Sequence, residues 1–322
     1  MDPMRILITG ASGLVGGALA TALANEPERY VRAALRTPCA ADTISCDEWV
    51  VTGELAPTTD WSQALARMDI VVHCAARVHM MSESVQDPLA EFRRVNVEGS
   101  LNLARQSLKA GVKRFVFISS AKVNGEETLP ARPFHADDVP SPVDPYGLSK
   151  FEAEEALLGL SREGMEVVIV RPVLVYGPGV KANFLSMMRW LDKGIPLPFG
   201  GIHDNRRSLV AIDNLVDLIK VCMTHPHAAG NVFLASDGDD LSTTELLRRT
   251  ATAMGKRPIL LPIPAALLQT AAKLLGRSAI AQRLCGSLQV DISKNRELLG
   301  WVPPVGVSQA LRKTVDAYLR KS

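Results

Sequence analysis

A short apolar run, Arg5-Ile6-Leu7-Ile8-Thr9, passes directly into Gly10-Ala11-Ser12-Gly13-Leu14-Val15-Gly16-Gly17 and then into a helical pattern that reaches Asn25. A buried strand, a glycine turn and a helix in that order leave few folds open. The turn needs a residue without Cβ at Gly10. The backbone has to approach a pyrophosphate at Gly13, and Gly16 lets helix and strand pack closely. The helix N-terminus then offers its free N–H groups to phosphates. Ser12, Leu14 and Val15 complete the expected cofactor turn. The plain structural alternative is a tight turn that binds nothing.

The alternation continues beyond this unit. Tyr30 to Leu35 reads as a second strand. Glu48 to Val51 reads as a third, leading to Gly53-Glu54-Leu55, a turn expected beside an adenine. Asp69 to Ala76 reads as a fourth and closes on Cys74, Ala75 and Ala76, small enough for a cofactor to lie against the backbone. Glu91 to Ala110 has helical periodicity and carries Asn96, placed to brace the neighbouring strand or the active site. Arg114 to Ile118 is a fifth strand, and Met165 to Val170 a sixth. The density of proline and glycine from Arg171-Pro172 to Gly179 marks a turn out of the sheet. After it the strict alternation stops, and Asp213 to Met223 and Asn231 to Ala235 fall in mixed structure. The expected architecture is α/β: a Rossmann-type doubly wound parallel sheet with a smaller, interleaved C-terminal substrate-binding domain. Residues 1–172 and 209–234 would form the first, and 173–208 with 235–322 the second.

Length and composition set the outer bounds. A chain of 322 residues can bury a large core. With 47% hydrophobic and 22% charged residues and a net charge of +2, it has the make-up of a soluble globular protein. That charge gives no argument for attraction to nucleic acid or to a membrane. The cysteines Cys39, Cys46, Cys74, Cys222 and Cys285 are scattered and form no CxxC, which suits a reducing cytoplasm and argues against a metal cluster. Met1 to Arg5 leads into too short an apolar run for a secretory signal. The most apolar region, Pro258 to Leu275, is broken by Pro262 and Pro264 and interrupted by Gln269 and Lys273. It cannot span a bilayer; a packing helix is expected, with a membrane-surface helix as the alternative.

The chemistry centres on Asp144-Pro145-Tyr146-Gly147-Leu148-Ser149-Lys150. Four residues are about one helical turn, so the Tyr146 phenol and the Lys150 ammonium share a face. A cation beside a phenol lowers the tyrosine pKa and makes it a proton donor or acceptor near neutrality. Ser120, at the carboxyl end of the fifth strand, is placed to hydrogen-bond the same substrate oxygen or to satisfy its own turn. His73 reads as a strand-end packing residue rather than a catalyst. Arg77-Val78-His79-Met80-Met81 follows the fourth strand, where α/β sheets bind ligands, so Arg77 and His79 are candidates for the substrate pocket or for loop packing. Where an NAD-specific site carries an acid after the second strand, this chain has Leu35-Arg36-Thr37. A guanidinium there can pair with a 2′-phosphate, favouring NADP over NAD, the alternative being a solvent-exposed loop arginine.

Taken together, Gly10-x-x-Gly13-x-x-Gly16, Ser120, Tyr146-x-x-x-Lys150 and Arg171-Pro172 resemble the extended short-chain dehydrogenase/reductases, within them the nucleotide-sugar epimerase and reductase branch. The similarity runs nearly end to end and includes the closing Asp291-x-Ser293-Lys294-x-Arg296-Glu297-x-Leu299-Gly300-Trp301. The resemblance implies an enzyme with Ser120, Tyr146 and Lys150 as its catalytic triad, Lys150 also holding the nicotinamide ribose. It implies Pro172 beside the cofactor, Lys122, Asn183 and Arg207 at the substrate, and no metal. The guanidinium fork of Arg207 suits a pyrophosphate. The chain departs from the branch in carrying Ala121-Lys122 where dehydratases carry Asp-Glu, so the acid and base that eliminate water are missing. Asn124-Gly125 stands where Tyr-Gly is usual.

The resemblance therefore implies an NADP(H)-dependent 4-keto reductase of a UDP-linked 6-deoxy-N-acetylhexosamine, serving surface polysaccharide or O-antigen synthesis. Its rival is an NAD-dependent UDP-hexose or UDP-N-acetylhexosamine 4-epimerase with the same triad. A more distant one is a dinucleotide-sensing protein without catalysis. A homodimer is implied as well, with helices around Leu101 to Leu108 and Phe151 to Leu158 forming its seam or simply covering the sheet.

Overall fold

The computed structural model describes residues 2–38, 44–78, 87–129, 131–276 and 278–320. His79, Met80, Met81 and Cys39 lie outside the described residues. The chain runs β1 (Met4–Thr9), α1 (Leu14–Ala24), β2 (Arg29–Leu35), β3 (Glu48–Val51), α2 (Ser62–Leu65), β4 (Ile70–His73) and α3 (Pro88–Phe92). A π-helical turn, Arg93–Gly99, leads into α4 (Ser100–Lys109), then β5 (Arg114–Ile118), α5 (Pro145–Gly159), β6 (Glu166–Pro172), β7 (Leu174–Tyr176) and α6 (Ala182–Asp192). The remainder is β8 (Leu209–Ala211), α7 (Ile212–Thr224), β9 (Val232–Ala235), α8 (Thr243–Ala253), α9 (Ala265–Leu274), α10 (Ser278–Cys285), α11 (Ser293–Leu299) and α12 (Val307–Leu319).

Seven strands form one parallel sheet in the order β3-β2-β1-β4-β5-β6-β9, with helices on both faces. The strand order reverses between β1 and β4, and a crevice beyond their carboxyl ends is where such sheets bind ligands. Ile6, Ile8, Val72, Val116 and Val170 build the core on one face, Leu7, Val71, Phe115, Phe117 and Ile169 on the other. That is the period-2 alternation of strands buried on both sides. Leu101, Leu108 and Leu158 pack against the second of these cores, so α4 and α5 cover the sheet. A third core joins Tyr176, Phe184, Met188, Leu197, Leu247 and Leu311 around β7, β8, α6, α8 and α12. The closing motif docks back on the main sheet: Trp301 Nε1 donates to Asp217 (2.8 Å), and Asn295 donates to the Leu234 carbonyl (2.9 Å).

Several expectations are corrected. The fourth strand stops at His73, because its neighbour β1 ends at Thr9 and turns at Gly10. Cys74 to Ala76 therefore leave the strand and cross over that turn, held to the end of β1 by Cys74 N donating to the Thr9 carbonyl (3.2 Å). The sixth strand continues through Arg171 and Pro172, which pair with Leu234 and Ala235 of β9. Asn231 to Ala235 thus supplies the last strand of the main sheet rather than mixed structure. The packing helix expected over 258–275 lies against α10 but enters no core: α9 contains no buried residue. Its lead-in is tethered by Leu197 N to Ile259 O and Leu261 N to Leu197 O, and the leucine face of the helix stays outside the core.

Candidate active site

The β1 turn is shaped by contact. Gly10 has φ +68°, and a Cβ on it would meet the Ala75 amide nitrogen at 2.7 Å. Any side chain there is both strained and blocked, so the crossing of Cys74 to Ala76 over the turn requires glycine. Gly16 lies against the Gly10 carbonyl for the same reason of space. No side chain caps the N-terminus of α1 at Gly13, and Ser12 and Gly13 are exposed. An uncapped helix end above a cradle that a Cβ would fill fits a dinucleotide pyrophosphate. Ala34 of β2 pairs with Thr9, so Arg36, exposed two residues further on, stands beside this turn. Gly53-Glu54-Leu55 lies against the π-helical turn, with the Leu55 backbone about as close to Gly99 as a Cβ would allow.

Tyr146 and Lys150 stand on the first turns of α5. Asp144 caps this helix, accepting from Gly147 N at 2.6 Å, and Pro145 occupies its first turn, where a missing N–H costs nothing. A Cβ on Gly147 would come within 2.9 Å of the Lys122 carbonyl, so its absence lets the helix start abut the Ser120 turn. Ser120 caps the short 3₁₀ turn Ala121–Val123, its hydroxyl accepting from Lys122 N at 3.2 Å. The Lys122 ammonium pairs with Asp144 and with Glu126 (2.9 Å), tying the Ser120 turn to the helix that carries Tyr146. Leu14 and Val15 on α1, and Pro172 closing β6, complete the cofactor-side residues named from the sequence.

Burial dominates the electrostatics. Lys150 is 1% exposed, with its ammonium 3.7 Å from the centre of the Phe117 ring, a cation–π contact. Burial pulls its pKa down from 10.5 to about 7, opposed by the charge of Glu154. Tyr146, packed edge-on against Phe92 at 6.0 Å, is pushed up from 10 to about 12 by burial and then by Asp144. This corrects the expectation that Lys150 lowers the Tyr146 pKa. In the protein alone, loss of water around the phenol and the charge of Asp144 both hold the proton on. The Cys74 thiol is likewise held up, at about 12, by burial. His73 is a packing residue, as expected: its ring nitrogens bond Thr9 Oγ1 (2.6 Å) and Ser100 Oγ (2.8 Å), and burial drops its pKa to about 3.

Asn96 is buried and bonds across elements. It accepts from Arg77 N (2.8 Å) and donates to Arg77 O (3.1 Å) and to Ser149 Oγ (3.0 Å). Ser149 in turn donates to the Tyr146 carbonyl (2.8 Å). Asn96 therefore joins the loop after β4 to the catalytic helix. The helix it sits on departs from the continuous one expected over Glu91 to Ala110, because a π turn adds a residue to the coil at this point.

A buried group missed in the sequence lies beneath the site. Arg171 forms a two-pronged pair with Glu154, 2.6 Å at its closest, and donates to Asn124 Oδ1 (3.0 Å); Ser119 Oγ bonds the same Glu154. The network locks β6, α5 and the Ser119–Asn124 turn together. It also gives Asn124, which replaces the usual tyrosine, a structural task. The one available signal was the spacing of Glu154, four residues after Lys150.

On the other lobe, Asn183 is exposed near the start of α6, directly after Ala182, whose φ of +53° is unusual for a residue with a Cβ. Arg207 is partly buried, its guanidinium donating to Gly286 O (3.1 Å), and burial lowers its pKa. The structure thus assembles Ser120, Lys122, Tyr146, Lys150, Asn96 and Arg77 around one corner of the sheet. Asn183 and Arg207 belong to the second lobe.

Residues 6–235 match the model of the NAD dependent epimerase/dehydratase family. A UDP-glucose 4-epimerase of Vibrio cholerae is 49% identical over 321 residues, covering 99% of this chain and 96% of the relative. An N-acetyl-alpha-D-glucosaminyl-diphospho-ditrans,octacis-undecaprenol 4-epimerase of Escherichia coli O157:H7 is 27% identical, covering 97% and 94%. Among solved structures, UDP-glucuronic acid 4-epimerase of Bacillus cereus in complex with NAD superposes with a TM-score of 0.78 at 21% identity, covering 99% of each chain. At that identity it attests the fold.

Proposed function

Because the chain belongs to the NAD dependent epimerase/dehydratase family, we propose that it is a 4-epimerase of a UDP-linked hexose or N-acetylhexosamine. The observation that carries this reading is the 49% identity, across nearly the whole of both chains, to a UDP-glucose 4-epimerase. A bound nicotinamide dinucleotide would supply the hydride acceptor and donor at the sugar's C4. Gly10, Ser12, Gly13, Leu14, Val15 and Gly16 would hold its pyrophosphate. Arg36, Glu54 and Leu55 would lie at the adenosine, and Cys74, Ala75, Ala76, Asn96 and Pro172 along the remaining length. Tyr146, as phenolate, would take the proton of the C4 hydroxyl as the carbonyl forms and return it once the sugar presents its other face. Ser120 donates a hydrogen bond to the same oxygen, where negative charge develops. Lys150 would hold the ribose and supply the positive charge that stabilises that phenolate before it takes the proton. Arg77, Lys122, Asn183 and Arg207 would contact the UDP-sugar, Arg207 at the diphosphate. The reading places the enzyme in the cytoplasm, as a homodimer seamed by α4 and α5; light scattering in solution tests the dimer.

A second reading, reduction of a UDP-linked 4-keto-6-deoxy-N-acetylhexosamine with NADPH for surface polysaccharide, is favoured by one feature. Arg36, and no acid, is exposed beside the cofactor turn. Two measurements separate the readings. An epimerase interconverts its UDP-sugar with no added dinucleotide and co-purifies with NAD, whereas a reductase consumes NADPH only with the keto-sugar. In the second case Arg36→Asp weakens NADPH binding far more than NADH binding; equal effects would rule out a role in cofactor choice.

A further inference from the structure

The segment from Ile259 to Leu275 is the largest concentration of exposed apolar side chains among the described residues. On α9 and its cap, Leu267, Leu268, Ala271, Leu274 and Leu275 fall at the spacing of one helix face. Leu267 is 61% exposed, Leu274 84% and Leu275 74%. Gln269, Thr270 and Lys273 make the opposite face. The helix is amphipathic, yet its apolar face is as open to water as its polar one.

The charge around it is one-sided. From Glu245 to Asp291 the chain carries no acidic residue in between, while Arg257, Lys273 and Arg283 are exposed there. Lys256, the neighbouring cation, is engaged by Asp192 at 2.5 Å. The segment that pairs with Ile259 and Leu261 follows Trp190 and Ile195, both exposed, and Ile195 N bonds the Trp190 carbonyl. Exposed leucines on a stretch whose own charges are all positive, with Asp192 and Glu127 bonded to its flanks, and a tryptophan nearby, are the make-up of a helix that lies in a lipid interface. The same cations would oppose face-to-face pairing with a second copy, whereas anionic headgroups attract them.

We propose that α9 and its flanks dock on the surface of an anionic lipid bilayer. The leucine face enters the acyl boundary, and the cations meet the headgroups. α10 packs on α9 and ends beside the substrate lobe, where the Leu284 and Gly286 carbonyls accept from Asn205 and that of Gly286 also from Arg207. Docking therefore sets the substrate lobe at the membrane surface, whichever sugar the enzyme turns over.

The test is flotation of the full-length protein with vesicles of equimolar phosphatidylcholine and phosphatidylglycerol, against vesicles of phosphatidylcholine alone. The protein should float with the anionic vesicles and be largely released by high salt. Leu267→Glu/Leu274→Glu should weaken binding by roughly tenfold or more with an unchanged circular dichroism spectrum, since both side chains are already in water. Lys273→Glu should weaken it less. Val139→Glu, at another exposed apolar position, should bind as the parent does. Failure to float, or equal flotation of the double variant, overturns the proposal. So does a parent that stays off the vesicles while light scattering shows an oligomer that the double variant loses, since the face would then join copies of the chain.

Discussion

Lys150 is a charge almost without water, resting on the face of Phe117, and its environment makes a prediction independent of catalysis. Its pKa falls from 10.5 in the unfolded chain to about 7 in the folded one. Below pH 7 the lysine is charged in both states, and the full cost of burying it weighs on the fold. Between pH 7 and about 10.5 the unfolded chain binds more protons, so stability gained relative to a neutral residue rises with pH. In protein freed of nucleotide, Lys150→Met should therefore melt higher than the parent at pH 6, the gap closing as pH rises toward 10. A gap that is constant or reversed would contradict the burial account. Tyr146 makes a kinetic prediction. Tyr146→Phe should leave the melting temperature nearly unchanged, because the ring still packs on Phe92, and lower kcat by about 100- to 10,000-fold, the range for loss of a positioned proton-transfer group.

Between elements, the Glu154–Arg171 pair clamps the catalytic helix to the strand behind it, with both side chains almost wholly buried. Glu154→Ala should cost about 3–5 kcal/mol in denaturant unfolding, because it strands the Arg171 charge, whereas Glu154→Met/Arg171→Met should recover much of that loss. The turn after β1 predicts a different outcome. Gly10→Ala meets the Ala75 backbone and a positive φ at once, so it should abolish dinucleotide retention, measured by absorbance after denaturation, and lower the melting temperature. These two features also show what the sequence could convey. The strand–glycine–helix turn and the Tyr146–Lys150 spacing were legible because each is local and follows helix or strand geometry. The Ser119–Glu154–Arg171–Asn124 network was not, since its partners lie as far as 47 residues apart, and pairing across elements leaves no period in the chain. The π turn at Asn96 was hidden for a related reason: its apolar residues keep a helical spacing that a single inserted residue barely disturbs. The sequence left α9 open between a packing helix and a membrane-surface helix because apolar periodicity states that a helix has a face, not what covers it.

The molecule as a whole places the Tyr146 phenol, the Lys150 charge and the Ser120 hydroxyl at a corner of a parallel sheet, with Asn183 and Arg207 outside that sheet. That arrangement serves oxidation and reduction of one carbinol carbon equally well, so the direction of net chemistry depends on whether the hydride is kept or exchanged. In an epimerase the hydrogen removed from C4 returns to the same sugar, and solvent never reaches it. The most direct measurement is proton NMR of UDP-glucose and of UDP-N-acetylglucosamine incubated with the enzyme in deuterated water, with no added cofactor. The account predicts conversion of one of them to its 4-epimer with protium retained at C4. No interconversion of either, with NADPH consumed when a 4-keto UDP-sugar is supplied, would contradict it.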